Sequence, residues 1–316
     1  MSRRLLGTSN LESFGDVFLP EEAQEPILAA GVRGALTEWL EEIWAEEALR
    51  EVGIAARKKA LFSGPPGVGK TTLAHHLAAR LGLTMIAVRP ERIVGKWLGE
   101  TSQNIGELFD LARREEEPVV LFMDEFDALS RQRRRSEQSA DDARNHGVDT
   151  LLQRLEQHDG FVIAATNYAD HIDQAVFRRF DIQIELELPG PKEREHILAR
   201  YFEPYRVGAA ALRALSEATE TASPALIRKL CEGLKRQMVL GPRLGLDMRR
   251  ETVIARVLET IHPHKDCGKP RLWSHGARDT AVAQMPWPLS RDPDEADQAA
   301  ASDGAIVRFP GRRAAE

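Results

Sequence analysis

The sequence contains few cysteines and no long apolar run. Among its 316 residues there are only two cysteines, Cys231 and Cys267, and neither stands at a metal-ligand spacing. This usage argues against a disulfide or zinc framework and favours a reducing compartment. No segment approaches the roughly 18 apolar residues of a membrane span, and the first residues lack the apolar run of a signal peptide. We therefore expect a cytoplasmic protein with no membrane association.

The chain also has no excess of positive charge. It has 43 lysines and arginines against 49 aspartates and glutamates, a formal net charge of −6. Because nucleic acids attract basic surfaces, this balance argues against nucleic acid as a general partner. The strongest local exception is the run Arg-Gln-Arg-Arg-Arg at 131–135. It could contact an acidic substrate or a nucleic-acid backbone, or it could be a solvated loop partly neutralised by nearby acids.

What the sequence does have is a complete phosphate-binding loop, G-x-x-x-x-G-K-T, between a short apolar run and an amphipathic helix. Its glycines let successive backbone N–H groups point at phosphates, and the following helix adds the positive end of its dipole. Lys70 is expected to reach the β- and γ-phosphates, and the Thr71 hydroxyl to bind Mg²⁺. The predicted nucleotide-binding residues of the loop are Gly64, Pro65, Pro66, Gly67, Val68, Gly69, Lys70, Thr71 and Thr72.

Hydrophobic patterning from residue 60 predicts alternating strands and helices. The predicted strands are 60–63, 84–88, 119–123, 161–165 and 182–188, and the predicted helices are 70–81, 101–113, 143–157 and 172–178. This alternation predicts an α/β fold, a mostly parallel sheet with helices on both faces. After Pro189-Gly190-Pro191 only helical patterns follow, to about residue 261.

Four regions are therefore expected. They are a short N-terminal segment at 1–30, an α/β domain at 31–190, a small all-helical domain at 191–261 and a C-terminal tail at 262–316. The tail is rich in Pro, Asp, Ala and Gly and lacks any hydrophobic period, so we expect it to be largely disordered. Isolated apolar residues in it, Leu272, Trp273 and Trp287, could dock on a neighbouring surface.

Polar residues follow the apolar strands where phosphate chemistry would need them. Asp124 and Glu125 end the strand 119–123, so Asp124 would hold Mg²⁺ through its water shell and Glu125 would accept a proton from the attacking water. Asn167 follows the strand 161–165 and would hydrogen-bond the lytic water and the γ-phosphate. Arg178 and Arg179 could be a helix-terminal charge pair or arginine fingers delivered to a neighbouring subunit. The set predicts a hydrolase that acts on a nucleoside triphosphate.

The order of phosphate loop, Asp-Glu strand, Thr-Asn strand and paired arginines resembles the AAA ATPase module of the AAA+ superfamily, over about residues 14–261. The resemblance implies a P-loop NTPase domain with a five-stranded parallel sheet, followed by a helical lid. It implies ATP and Mg²⁺ as cofactors. It also implies a head-to-tail homo-oligomer, a hexameric ring, in which Arg178 and Arg179 complete the site of the next subunit.

The resemblance extends into the lid. Ile197 stands in the family's adenine-packing helix, which implies contact with the base. Two segments depart from the family pattern. Ser223-Pro224-Ala225 occupies the place of Ser-Gly-Ala, and Asp16-Val17-Phe18-Leu19 stands where the family has Val-x-Gly. Phosphate binding is therefore implied more directly than base selectivity.

The segment 94–101, Val-Gly-Lys-Trp-Leu-Gly-Glu-Thr, resembles the pore loop of AAA protein unfoldases. The implied pore-loop residues are Lys96, Trp97, Leu98 and Gly99. A large aromatic side chain can grip many polypeptide side chains without sequence specificity, and Gly99 would let the loop move with nucleotide state. The alternative, a surface loop in which Trp97 covers the sheet edge, stays open.

Taken together, these features predict an ATPase that remodels or threads a protein substrate through a ring pore, with an unknown substrate or adaptor as partner. Two other functions remain open. One is a nucleic-acid-associated helper ATPase that uses the run at 131–135, and it predicts stimulation by DNA. The other is an ATP-gated scaffold that recruits a partner through its C-terminal tail.

Overall fold

The computed structural model of the protein describes residues 10–95, 99–127 and 139–291, with only the backbone described at 139–145. The predicted pore-loop residues Lys96, Trp97 and Leu98 and the basic run at 131–135 lie outside the described residues. The chain divides into two compact units. The first comprises the chain up to Pro65 together with Gly69–Glu187, and the second comprises Pro66–Val68 and the chain from Leu188 onward.

The first unit is built around a sheet of six strands. In chain order they are β1 Gly15–Phe18, β2 Lys59–Ser63, β3 Thr84–Val88, β4 Val119–Met123, β5 Phe161–Thr166 and β6 Ile182–Glu185. Their order across the sheet is β1-β3-β4-β5-β2-β6, with β1 antiparallel to β3 and every other pair parallel. Every residue of β4 is buried, as its continuous apolar sequence predicted. The predicted α/β fold class is confirmed.

The edge strand β1 was not predicted. Its four residues, Gly-Asp-Val-Phe, are too few to show a period, and main-chain pairing with β3 defines the strand. A Cβ atom at Gly15 would lie 2.1 Å from the carbonyl oxygen of Ala87, so only glycine permits this approach. The five predicted strands form the parallel part of the sheet, with ends shifted by at most three residues.

Within the described residues, the helices of the first unit are Ala30–Trp44, Glu46–Glu51, Lys70–Arg80, Pro90–Ile93, Glu100–Arg114, Ser139–Gln157 and Gln174–Phe177. The helix Lys70–Arg80 begins after Gly69 and ends before Gly82, which both adopt positive φ angles, 104° and 72°. It buries Leu73 and Leu77 among other residues, and each buried leucine contributes roughly 1.5–3 kcal/mol of apolar burial. This packing fixes the start of the helix, where the phosphate loop ends.

The second unit is helical. Its helices are Pro191–Phe202, Ala209–Ala218, Pro224–Leu240, Arg250–Thr260, Arg271–His275 and Thr280–Ala283. The buried guanidinium of Arg194 donates to the carbonyl oxygens of Ser216 (2.8 Å), Pro189 (2.7 Å) and Glu220 (3.1 Å). Three main-chain acceptors therefore satisfy a charge that would otherwise be costly to bury. None of the helices in the described ranges combines the length and apolar content that a membrane crossing requires.

Residues 262–291 differ from the predicted disordered tail. They form short helical segments whose side chains Leu272, Val282, Met285 and Leu289 are buried. The indole N–H groups of Trp273 and Trp287 donate to the carbonyl oxygens of Ile261 and Met248, both at 2.7 Å. The prediction of disorder was wrong for residues 262–291. Their apolar residues are irregularly spaced and give no period, yet these four side chains are buried within the second unit.

Candidate active site

The phosphate loop joins β2 to the helix Lys70–Arg80 and depends on left-handed glycines. Gly64, Gly67 and Gly69 have φ angles of 142°, 79° and 104°, which side chains other than glycine rarely adopt. A Cβ atom at Gly64 would also lie 2.1 Å from the carbonyl oxygen of Leu186. Within the second unit, the backbone N–H of Ala225 donates to the carbonyl of Gly67 at 3.1 Å. The loop backbone therefore has the shape that the motif predicted.

Lys70 brings the loop together with Asn167. Its side-chain Nζ, on a residue only 7% exposed, donates to Asn167 Oδ1 at 2.6 Å and to the carbonyl oxygens of Gly64 and Pro65 at 2.7 and 3.1 Å. Lys70 and Asn167 are 97 positions apart in the chain. They meet because β2 and β5 are parallel neighbours whose carboxyl ends share one edge of the sheet.

The two residues predicted to hold Mg²⁺ are also in contact. The hydroxyl of Thr71 donates to Asp124 Oδ2 at 3.0 Å. No group of three or more His, Cys, Asp or Glu residues that could hold a metal ion occurs within the described ranges. A hydroxyl and one carboxylate fit Mg²⁺ nonetheless, because this ion is usually bound by one or two carboxylates together with water and substrate phosphates. The pair is therefore suited to a nucleotide-associated ion.

Glu125 has an unusual backbone. Its φ angle of 49° is the one positive φ angle among the described residues that are not glycine. Its N–H donates to Asp124 Oδ1 at 2.8 Å, and the N–H of the next residue, Phe126, donates to the carbonyl of Ala165 at 2.8 Å. These bonds hold an exposed carboxylate beside Asp124 in a conformation that costs energy, as is common at active sites.

Two buried polar residues that were not predicted as site residues lie at the same carboxyl edge of the sheet. Thr166, the last residue of β5, is fully buried, and its hydroxyl donates to Asp127 Oδ1 at 3.0 Å. Asp127 is 8% exposed. The signal was present in the sequence, because a second acid three positions after Asp124 and a threonine next to Asn167 are polar residues flanking apolar strands.

Arg178 and Arg179 are both exposed but differ in their surroundings. The guanidinium of Arg179 forms an ion pair with Glu156. No ion pair of Arg178 occurs within the part of the chain that the structure describes. Both residues follow the short helix Gln174–Phe177, whose first turn is capped by Asp173. Among the described residues, no hydrogen bond connects Arg178 or Arg179 with Lys70 or Thr71 of the same chain.

A cavity of about 270 Å³ adjoins the start of the helix Lys70–Arg80. It is lined by Phe18, Glu22, Gln24, Thr71, Thr72 and His75. His75 is 9% exposed, with its Nε2 2.8 Å from the carbonyl oxygen of Leu19 and its ring edge-on to Phe18 at 5.2 Å. Thr71 and Thr72 therefore line this cavity and also end the phosphate loop. The segment Asp16-Val17-Phe18-Leu19, which supplies Phe18, was expected only to differ from the family's Val-x-Gly pattern.

Two further predicted residues lie elsewhere. Ile197 is 2% exposed in the helix Pro191–Phe202 of the second unit. Gly99, the one predicted pore-loop residue within the described ranges, has a φ angle of 83° and precedes the helix Glu100–Arg114. The N–H of Gly95 donates to Thr101 Oγ1 at 2.9 Å, so the two ends of the segment that contains Trp97 are linked.

A phosphate loop whose lysine and threonine meet an asparagine and an aspartate at the carboxyl edge of a parallel sheet defines a P-loop nucleotide hydrolase. Residues 60–188 match the ATPase family associated with various cellular activities (AAA). The uncharacterized AAA family ATPase y4kL of Sinorhizobium fredii is 36% identical over 239 residues, 73% of this chain and 69% of the relative. This chain belongs to the AAA family and is an ATPase.

Other relatives carry a more specific name. The proteasome-activating nucleotidase of Pyrococcus horikoshii is 38% identical over 193 residues, 58% of this chain and 47% of the relative. The protein of the same name from Thermococcus onnurineus is 37% identical over 193 residues, 58% of this chain and 48% of the relative. This chain therefore spans about half the length of these two nucleotidases.

Proposed function

We propose that this ATPase couples Mg²⁺-dependent ATP hydrolysis to the remodelling or threading of a protein substrate through a homo-oligomeric ring of six subunits. The observation that carries the proposal is the convergence of Lys70 with Asn167 and of Thr71 with Asp124, beside Glu125. Binding alone would need only the loop, whereas hydrolysis also needs a placed base and a placed water. The names of the two nucleotidase relatives support a protein as the substrate.

In the proposed site, Lys70 and the backbone N–H groups of the loop bind the β- and γ-phosphates. The ammonium group already lies within reach of Asn167, so both side chains can contact the same γ-phosphate. Thr71 and Asp124 would hold Mg²⁺, which when bound neutralises charge on the phosphate oxygens. The role of these residues is to fix the position of the phosphates, because phosphoryl transfer depends mainly on positioning and electrostatics.

Glu125 is the proposed general base. Its exposed carboxylate accepts a proton from a water molecule while the water oxygen forms a bond to the γ-phosphorus. The bond from that phosphorus to the bridging oxygen breaks, so ADP and inorganic phosphate leave. Asn167 accepts a hydrogen bond from Lys70 through Oδ1, and its amide NH₂ remains able to donate to the γ-phosphate.

The ring and its pore are proposed from different features. The exposed Arg178 has a guanidinium available to a neighbouring subunit, while Arg179 would first have to leave Glu156. We propose that Trp97, with Lys96, Leu98 and Gly99, contacts the threaded polypeptide.

The test of hydrolysis and substrate capture uses Glu125→Gln. Loss of the base should reduce the turnover number by about 10²–10⁴-fold while leaving ATP binding intact. In the presence of ATP this variant should retain a substrate protein that the wild type releases. Phosphate release and the retention of labelled ATP measure the first effect, and affinity capture followed by mass spectrometry measures the second.

The matched controls are Glu107→Gln, an exposed glutamate on the helix Glu100–Arg114, and the double variants Glu125→Gln/Trp97→Ala and Glu125→Gln/Trp44→Ala. Trp44 is 51% exposed but belongs to the helix Ala30–Trp44, so its loss should leave capture unchanged. Loss of Trp97 should abolish capture. Undiminished turnover in Glu125→Gln would refute the role of Glu125 as general base, and undiminished capture without Trp97 would refute threading.

A further inference from the structure

A buried polar pair joins the ends of β4 and β5, the strands that Glu125 and Asn167 follow. Thr166 ends β5 and is 0% exposed, and Asp127 follows β4 and is 8% exposed. The Thr166 hydroxyl donates to Asp127 Oδ1 at 3.0 Å. The hydroxyl oxygen of Thr166 also accepts a hydrogen bond from the N–H of Tyr168, at 3.0 Å. The hydroxyl is therefore both a donor and an acceptor, so its orientation is fixed.

These bonds surround Asn167. The bond from the Tyr168 N–H to the Thr166 hydroxyl spans Asn167 and closes a short turn about it. The bond from Thr166 to Asp127 then attaches that turn to the chain that leaves β4. Asn167 cannot shift along the edge of the sheet without breaking at least one of these two bonds.

The same connection reaches Glu125. Asp127 lies two residues beyond it, and the N–H of Phe126, between them, donates to the carbonyl of Ala165 at 2.8 Å. One main-chain bond and one side-chain bond therefore hold the segment 125–127 against the end of β5. The main-chain bond can form with any residue, whereas the side-chain bond requires an acceptor at 127 and a hydroxyl at 166.

We infer that Asp127 and Thr166 are positioning residues for hydrolysis, which set the distance between the base Glu125 and Asn167. The inference rests on the proposed function, in which these two groups act on one water molecule and one γ-phosphate. Neither Asp127 nor Thr166 is among the residues proposed to contact the phosphates. A buried carboxylate is costly unless it is hydrogen-bonded, so the pair has to be satisfied as a unit. Displacement by about 1 Å can cost on the order of 10²-fold in rate.

The experiment compares variants of nearly equal shape. Thr166→Val replaces the hydroxyl with a methyl group and suits a strand, whereas Thr166→Ser keeps the hydroxyl. We expect Thr166→Val to lower kcat by about 10–100-fold with an ATP dissociation constant within about threefold of the wild type. Thr166→Ser and Asp127→Asn, which both keep the bonding oxygen, should retain most of the turnover. Steady-state kinetics and equilibrium binding of a fluorescent ATP analogue measure these quantities.

A double variant tests whether the two residues act as one unit. Asp127→Ala/Thr166→Val should lower kcat no further than the more impaired of the single variants Asp127→Ala and Thr166→Val, because each of these changes already breaks the shared bond. Thermal unfolding of every variant shows whether the protein is folded at the assay temperature. If the pair were purely structural, its loss would lower the folded fraction, and with it ATP binding and kcat together. Thr166→Ser and Asp127→Asn would then also show parallel changes in ATP binding and kcat.

Glu125→Gln, assayed in parallel, separates the two proposals. If Glu125→Gln abolishes turnover and folded Thr166→Val turns over at the wild-type rate, the positioning inference is overturned and the proposed function stands. Multiplicative losses in the double variant would also overturn the shared role. If Glu125→Gln keeps full turnover, Glu125 is not the general base, and the proposed mechanism on which this inference rests fails.

Discussion

At the scale of single residues, the left-handed backbone of Glu125 links stability to function. Glycine adopts a φ angle of 49° without steric cost, whereas a residue with a Cβ atom pays roughly 1–2 kcal/mol there. The neighbouring bonds from Glu125 to Asp124 and from Phe126 to Ala165 show what holds this conformation in place. The carboxylate is thus kept where the proposed chemistry needs it at the expense of local strain.

Replacing Glu125 separates the two effects. Glu125→Gly should be more stable than Glu125→Ala by about 1 kcal/mol, because glycine relieves the strain that alanine keeps, while both variants lose turnover. The exposed helical position Glu107 provides the control, since there Gly should be less stable than Ala by about 0.5–1 kcal/mol. Denaturant unfolding measures the order. The same order at both positions would show that Glu125 is not strained.

At the scale of elements, the parallel strands could be predicted because each carries an apolar pattern, which is continuous in β4 and alternating in β6. The strand β4, Val119–Met123, forms with the predicted ends. The edge strand β1 could not be predicted in this way, because four residues with a glycine and an aspartate carry no periodic signal. Its existence depends on the free edge of β3, which is a property of the sheet and not of the segment.

The prediction of disorder for residues 262–291 was wrong for a related reason. Their apolar residues follow neither a helical nor a strand period, and their composition resembles that of disordered chains. Arg250 nevertheless donates to the carbonyl oxygens of Ala283 and Met285, at 2.8 and 3.1 Å. The segment is ordered because it packs against other residues of the second unit, and this packing cannot be deduced from the composition of the segment.

This packing predicts the effect of removing Leu272. Leu272 is 1% exposed, so Leu272→Ala should lower the free energy of unfolding by about 2–5 kcal/mol through lost burial and a new cavity. Leu244, 67% exposed in the same unit, is the matched control, and Leu244→Ala should change stability by less than about 0.5 kcal/mol. Calorimetry on the full chain measures both. Equal stabilities would mean that residues 262–291 do not pack as described.

At the scale of the whole molecule, the proposal requires a neighbouring subunit to complete the site. The guanidinium of Arg178 is exposed, and a transition-state arginine supplied by another subunit is typically worth about 10³–10⁵-fold in rate. Arg178→Ala should therefore lower turnover by about 10³-fold with little change in ATP binding. The change Arg114→Ala, at an exposed arginine in the last turn of the helix Glu100–Arg114, should have no such effect.

Mixing inactive subunits tests whether Arg178 acts across an interface. Rings made only of Arg178→Ala subunits or only of Glu125→Gln subunits are each expected to have strongly reduced turnover. In a mixed ring, an Arg178→Ala subunit keeps its own Glu125 and receives Arg178 from a Glu125→Gln neighbour, so ATPase activity should return. Failure to recover activity on mixing, despite co-assembly measured by light scattering, would contradict a role in trans.

The sequence by itself determined the phosphate loop and the α/β class. Both are local features of the chain. The loop is a run of adjacent residues that contains every glycine, lysine and threonine it needs, and the strands and helices follow from the spacing of apolar residues along short segments. The sequence also named Asp124, Glu125 and Asn167 as candidates from their position after apolar strands.

Only the tertiary structure decided which of these residues meet. Lys70 and Asn167 are 97 positions apart, Thr71 and Asp124 are 53, and Thr166 and Asp127 are 39. They converge because β4, β5 and β2 lie side by side and run parallel, so that their carboxyl ends share one edge. Strand order is fixed by how the whole sheet packs, and no local pattern contains it.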